Sequence, residues 1–315
     1  GLAGSKASRV FETLRTREGI ESFDHELELS TGTRWFEGRM TRRLDAQGRF
    51  AGVIVVARDI TDRKLAEEET RVRSRQQEAV VALGRHALAG ADPDELMREA
   101  VALVAEALDV EFAKVLELVP GRNELLLRAG VGWKEGCVGV AFVGTDRDSQ
   151  AGYTLLTHEP VIVEDLSSET RFHGPPLLLT HGIVSGVSVV IRLGDELFGV
   201  LGAHTTRRRS FSMQDATFLQ SVANMLATVI QRRLAETALR ESEERFRHLL
   251  RSIRDMVWSS SLDGSQVLFV NEAVERIFGV SPEEFRRNPR HWYGLVHPDD
   301  RALVEAGVKH LLTTG

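Results

Sequence analysis

Two neighbouring runs, Gly186-Val187-Ser188-Val189-Val190-Ile191 and Phe198-Gly199-Val200-Leu201-Gly202-Ala203-His204, decide the fold of this chain. Both are short, apolar and bounded by turn residues, with Gly194-Asp195 between them, so strands are predicted over Val187–Ile191 and Phe198–Ala203. Further strands are predicted at Phe112–Val119 and Glu124–Ala129, around the turn Pro120-Gly121-Arg122-Asn123, and at Pro160–Val163. Ahead of them, Asp92 is placed to cap a helix with Pro93 at its first position and Asp94 and Glu95 in its first turn. Met97, Val101, Val104 and Leu108 then recur at helical spacing, a stripe that faces a core. Beyond the strands a long helix opens near Ser212, where Asp215 three residues on completes a capping box. Antiparallel strands enclosed by terminal helices make an α+β domain.

Outward from this block the pattern changes twice. Phe23, His25, Leu27 and Leu29 alternate with Asp24, Glu26 and Glu28, the period of a half-buried strand. Ser30-Thr31-Gly32-Thr33 is a turn, Trp35–Thr41 resumes an extended pattern, and Asp45-Ala46-Gln47-Gly48 leads into Gly52–Ala57. After Arg58-Asp59-Ile60-Thr61-Asp62-Arg63, the stretch Lys64–Glu78 lacks Gly and Pro and is predicted helical. On the far side, Leu219, Val222, Leu226 and Val229 follow a 3-4-3 spacing, and helical composition continues through Arg232–Arg247. A helix over residues 212–250 would be ~57 Å long, more than one small domain covers. Its outer half either pairs with its twin in a homodimer or merely spaces two domains apart.

Length and charge bound the rest. A chain of 315 residues exceeds one hydrophobic core, so two or three domains are expected. Its 42% apolar and 27% charged residues fit packed cores under an ordinary polar surface. The net charge of −6 is spread along the chain, and Arg207-Arg208-Arg209 is too short a run to suggest a nucleic-acid partner. A single cysteine, Cys137, excludes an internal disulfide and a thiolate zinc cluster and fits a reducing, cytoplasmic compartment. No apolar run approaches the ~20 residues of a membrane-spanning helix. The chain opens at Gly1 without Met and stops at Gly315 just past an amphipathic segment, so both ends read as cut.

Residues 129–233 closely resemble a GAF domain, a small-molecule-binding and signalling module. The likeness is carried by Ser149–Leu155, Glu159–Asp165, Thr170-Arg171-Phe172, Gly186–Ile191 and Phe198–His204, and residues 79–128 supply the first helix and strands. Residues 9–62 resemble the C-terminal half of a PAS domain through Arg34-Trp35-Phe36-Glu37-Gly38 and the Val56–Arg63 ending. Residues 241–315 resemble the opposite half, through Glu241–Arg247, Phe269–Ala273, Ile277-Phe278-Gly279 and Val296–Arg301. The resemblance implies an α+β chain with a GAF-type antiparallel sheet and terminal helices, flanked by two partial PAS-type domains on long helical linkers. Its divisions are a PAS-like segment at 1–62, a linker at 63–78, a GAF-like domain at 79–233, a linker at 234–245, and a second PAS-like segment at 246–315. It further implies a sensory piece of a bacterial-type signalling protein, and the long helix adds the expectation of a homodimer through its linkers. The output would be a histidine kinase or a diguanylate cyclase outside this chain.

Candidate chemistry is sparse, and no catalytic residue or metal ligand is assigned. His25-Glu26-Leu27 superficially resembles a kinase phosphoacceptor box, but it sits in an alternating strand with no Arg-x-Pro after it. Gly130-Val131-Gly132-Trp133-Lys134-Glu135-Gly136 misses the G-x-G-x-x-G spacing by one residue and precedes no helix, so it reads as a turn. No Walker-type lysine motif, GGDEF-like, EAL-like or kinase ATP-binding motif is present. Cys137, in Glu135-Gly136-Cys137-Val138, lacks the flanking residues of bilin-attaching GAF domains and reads as a buried structural cysteine. No covalently bound cofactor is therefore expected. Ten histidines show no paired metal spacing, although one alone suffices for haem. By resemblance, His158, His173 and His181 lie on segments that line or approach the GAF pocket, and Phe172, His173 and His181 are its candidate residues. Asp59, Ile60 and Thr61 are the candidate signal relay, since Asp59 and Thr61 can bond across the strand-to-helix junction, with Thr237–Phe246 as its counterpart. A plain capped helix start would use the same residues. A ligand-free dimerisation scaffold and a haem or bilin sensor remain alternatives to a ligand-binding relay.

Overall fold

A computed structural model describes residues 19–30, 32–261, 265–288, 291–294 and 296–314. Residues 1–18 of the first PAS-like segment, and Thr31 of the first turn, lie outside the described residues. The chain divides into two compact units, residues 1–230 and 231–315.

The first unit opens with three antiparallel strands in sequence order: β1 (Ile20–Leu29), β2 (Gly32–Leu44) and β3 (Phe50–Asp59). His25 sits in β1 opposite Phe36 of β2, in a strand as its alternation predicts. The following helix, α1 (Thr61–Leu88), is longer at both ends than the predicted Lys64–Glu78 segment. It runs without a break from the end of β3 into the next domain, where Ala79 and Leu83 are buried.

There α2 (Pro93–Leu108) is capped by Asp92, whose side chain accepts the Asp94 N–H. A six-stranded sheet follows, built from β4 (Phe112–Leu118), β5 (Glu124–Val131), β6 (Phe142–Gly144), β7 (Val161–Val163), β8 (Ser185–Leu193) and β9 (Glu196–Thr205). Its order is β6-β5-β4-β9-β8-β7, and every neighbouring pair is antiparallel. Strand β6 and two short helices between strands, α3 (Gln150–Thr157) and α4 (Pro176–Leu179), had no counterpart in the predicted elements. The last helix, α5, spans Met213–Ser252. Ser212 and Asp215 form its capping box: the Ser212 hydroxyl accepts the Asp215 N–H at 3.1 Å, and the Asp215 carboxylate accepts the Ser212 N–H at 3.0 Å.

Period-two alternation divides the strand residues between two cores. Ala113, Val115, Val187, Val189, Ile191, Leu201 and Ala203 face α1, α2 and α5, and join Met97, Val101, Val104 and Leu108 in the larger one. Leu219, Val222, Leu226 and Val229 belong to that core as well, each at most 3% exposed. Their 3-4-3 stripe is consumed by the domain's own sheet, so these four residues cannot form the seam of a dimer. At about 1.5–3 kcal/mol for each large aliphatic side chain removed from water, this core is the main source of the domain's stability.

The second unit contains a two-stranded antiparallel sheet, β10 (Trp258–Ser260) and β11 (Val267–Val270). It also contains the short helices α6 (Ala273–Phe278), α7 (Pro282–Arg287) and α8 (His291–Gly294), and α9 (Arg301–Thr314). Val267, Val270, Val274 and Phe285 form its small core.

Candidate functional site

The opposite face of the six-stranded sheet carries a different chemistry. Register places Phe112 opposite His204, Lys114 opposite Gly202 and Gly130, and His204 opposite Gly186. These residues therefore share a face, together with Ser188 and Val161. Helix α3 lies over it, started by Ser149, whose hydroxyl accepts the Gly152 N–H at 2.9 Å. The helix is tied to the sheet by Thr154 Oγ1, 2.7 Å from Ser188 Oγ, and by the Gln150 side chain, which donates to the Val161 carbonyl at 3.2 Å.

Within this face Lys114 is 2% exposed and His204 is fully buried. Three glycines make room for this pair and for Trp133. A Cβ on Gly186 would stand 2.2 Å from His204 Nδ1, and one on Gly202 would meet His204 Nε2 at 2.9 Å and Lys114 Cε at 3.5 Å. A Cβ on Gly130 would strike the Trp133 ring at 2.4 Å. No hydrogen-bond partner reaches either ring nitrogen of His204. Among the described residues no carboxylate ion-pairs with Lys114; its ammonium lies 5.3 Å from the centroid of Trp133. Burial alone pushes Lys114 down to about 7. Burial, then the neighbouring Lys114 charge, holds His204 well below the ordinary imidazole range.

Trp133 is the hub of the cluster. Its indole N–H donates to the Ala113 carbonyl at 2.8 Å, and its ring lies 5.1 Å from Phe112, 5.0 Å from His181 and 6.3 Å from His204. It enters from the bend after β5, where Gly132 at φ +84° packs so tightly that a Cβ would stand 2.1 Å from the Glu111 carbonyl. Only glycine fits that turn.

The three candidate pocket residues have separate fates. Phe172 is buried in the apolar cluster beside this face, 5.5 Å from Tyr153. His181 stands at the edge of the Trp133 cluster with both nitrogens engaged: Nε2 accepts the Lys134 N–H at 3.0 Å, and Nδ1 lies 2.8 Å from the Leu177 carbonyl. Neither is left for an axial metal bond. His173 is exposed, as is His158, which closes α3 in the left-handed conformation at φ 60°. Cys137 is half-buried against the Leu116 cluster, more accessible than the buried cysteine its context suggests, since it lies in the turns of the Lys134–Ala141 loop and not in a strand of the sheet. Among the described residues no group of three or more His, Cys, Asp or Glu side chains could hold a metal ion.

A second constellation ties β3 to α1. Asp59 accepts the Thr61 hydroxyl at 2.6 Å and the Thr61 N–H at 2.9 Å, while its other oxygen accepts from Arg34 at 2.9 Å. These bonds, the Thr61 hydroxyl first, pull Asp59 down to about 2. Thr61 Oγ1 also accepts the Trp35 N–H, and the buried Ile60 donates its own N–H to the Trp35 carbonyl. One turn later Lys64 pairs with Asp24 at 2.7 Å and lies over the Trp35 ring. The first turn of α1 is thus bolted to β1 and β2.

Comparison with known proteins agrees with this architecture. Residues 92–230 match the GAF domain family, and residues 6–65 and 267–315 each match a PAS fold. The chain is 28% identical to the methanogenesis regulatory histidine kinase FilI of Methanothrix harundinacea, over 58% of this chain and 21% of that protein. It is 31% identical to the methyl sulfide methyltransferase-associated sensor of Methanosarcina acetivorans, over 29% of this chain and 9% of that protein. The chain thus spans about a fifth or less of the curated relatives it matches. Among solved structures, the GAF domain of a phosphoenolpyruvate-protein phosphotransferase from Coxiella burnetii is 18% identical, with TM-score 0.48, covering 52% of this chain and 98% of that one. The chain is a GAF domain set between two PAS-fold segments. GAF and PAS domains are sensory modules, and the two curated relatives are a regulatory histidine kinase and a sensor. No helix among the described residues is long and apolar enough to cross a membrane.

Proposed function

We propose that the GAF domain binds a small molecule on the Lys114–His204 face and that α1 and α5 carry the resulting change to an effector outside this chain. That effector is a histidine kinase or, as the alternative output, a diguanylate cyclase. The observation that carries this reading is a fully buried imidazole with neither ring nitrogen bonded, beside Lys114, which is 2% exposed and makes no ion pair among the described residues. A sheet built only for stability has no use for them, because an unsatisfied buried polar group costs about 1–3 kcal/mol. Helix α1 supports the relay: its start is fixed by Asp59, Ile60 and Thr61 and its other end lies in the GAF core, so a displacement at either end is felt at both. Coupling arises if the ligand binds two arrangements of that junction with different affinity.

A homodimer is the second part of the proposal. Past the GAF core α5 exposes Leu239 and Phe246 seven residues apart, with Leu249 three further on, which is the spacing of a two-stranded seam. The seam therefore lies outside the stripe at Leu219–Val229. Sedimentation of the wild type against a Leu239→Glu, Phe246→Glu variant tests it: the variant is expected to run as a monomer, and an unchanged mass rejects the seam.

A ligand-free scaffold is favoured by one observation, that the rings of Trp133 and His204 fill the space over Gly130, Gly186 and Gly202. In the parent protein, Asp59→Ala is expected to uncouple output from stimulus while leaving expression intact. Output that follows the stimulus as in wild type removes the relay through this junction.

A further inference from the structure

We infer that Lys114 and His204 form an anion-binding subsite for a small organic carboxylate with an apolar body, reached by displacing the Trp133 indole from the sheet face. This deepens the proposed function and rests on its reading of the sheet face as a ligand site. The assignment follows from charge and hydrogen-bonding capacity. Lys114 offers three donors and neutral His204 one; neither ring nitrogen of His204 has a partner, and Lys114, 2% exposed, makes no ion pair among the described residues. An ammonium removed from water needs an opposite charge, and in this arrangement it has only the face of an indole, a weak substitute. A carboxylate completes the set: one oxygen takes the ammonium and the other the imidazole N–H, in charge-assisted bonds.

The surroundings define the rest of the ligand. Phe112, Val161, Val163, Phe172 and Ile183 make an apolar wall next to the two basic groups, suited to a hydrocarbon or aromatic body rather than a sugar or a phosphate chain. Inorganic phosphate fits the charge and not the wall. Trp133 covers the two basic groups, 5.3 Å from the Lys114 ammonium and 6.3 Å from the His204 ring, and rests on a glycine-cleared patch at Gly130 without a side chain beneath it. The hydrogen bond from its indole N–H to the Ala113 carbonyl breaks when the ring swings out.

The test is thermal melting and titration calorimetry of the whole 315-residue chain with sodium benzoate and isovalerate, against benzamide and isovaleramide as uncharged isosteres. Each carboxylate is expected to raise the melting temperature and to bind at least about 10-fold more tightly than its amide, the margin of a charged hydrogen bond over a neutral one. Lys114→Met is expected to abolish that margin and, without ligand, to melt higher than wild type, because it removes an unpaired buried charge. His204→Phe serves as the second variant and is expected to weaken carboxylates several-fold while leaving the amides unchanged. Amides that match the carboxylates, or carboxylate binding that survives in both variants, overturn the charge assignment and leave the site as a neutral pocket. Failure of all four probes overturns both the subsite and the ligand reading of this face.

Discussion

The two faces of the six-stranded sheet share the same strands and obey opposite rules. Toward α1, α2 and α5 the strands present Ala113, Val115, Val187, Val189, Ile191, Leu201 and Ala203, apolar side chains in close packing. One residue along, the same strands present Phe112, Lys114, Ser188, Gly186, Gly202 and His204. The first face would satisfy any designer of stable proteins. The second keeps a buried cation and a buried imidazole that lower stability, and glycines that contribute no packing of their own. Such a split is expected where one face holds a domain together and the other binds.

The contrast can be broken most forcefully on the packed face. Leu201→Ala leaves a cavity among fully buried neighbours and is expected to cost about 2–5 kcal/mol, read from denaturant unfolding. A loss well under 1 kcal/mol would mean that this face is not the main core. Gly199→Ala comes next: its Cβ would stand 1.8 Å from the Leu116 carbonyl, a backbone atom that cannot rotate away, and a loss of about 1–3 kcal/mol is expected. Gly202→Ala meets only the ends of the His204 and Lys114 side chains and is expected to change stability less than Gly199→Ala while altering ligand binding more. Equal effects of the two substitutions would erase the distinction between the faces.

Smaller effects sharpen it. Glu169 is drawn down to about 2, first by hydrogen bonds from the Arg171 side chain, and its ordinary value is 4.5. The unfolded chain therefore binds the extra proton between those pH values, so the stabilisation is complete above about pH 4.5 and is lost as pH falls toward 2. Glu169→Gln should flatten that acid limb and leave the neutral range alone. Asp59→Ala acts on a half-exposed junction outside the GAF core, so the GAF melting transition should stay in place even where output changes.

Much of the packed face was legible in the sequence. The strand runs around Val187–Ile191 and Phe198–Ala203, the Asp92-Pro93 helix start and the Ser212/Asp215 box each depend on residues within five positions of one another. Helix α3 was not legible: its eight residues include Gly152, Thr154 and Thr157, poor helix formers held by the Ser149 cap and by bonds to Ser188 and Val161 across the fold. The Leu219–Val229 stripe was legible as apolar, but spacing alone does not say whether a helix faces its own sheet or a second copy. Lys114 and His204 were missed because a charged residue in a strand ordinarily points to solvent. One signal was available. Lys114 alternates in step with Phe112 and Leu116, and His204 with Val200 and Gly202, so each basic residue sits among core positions. Only strand register then brings the two basic residues onto one face.

The claim that Lys114 is a buried, unpaired base retained at a cost to stability is tested most directly by unfolding free energy against pH for wild type and Lys114→Met. Unfolded lysine titrates at 10.5 and Lys114 in the folded chain at about 7, so across that window the unfolded state holds the additional proton. Stability of the wild type should therefore rise with pH from 7 toward 10.5, by at most about 1.4 kcal/mol per decade, and the variant should lack this rise. Superimposable curves would contradict it, and would return Lys114 to the ordinary surface lysines of the chain.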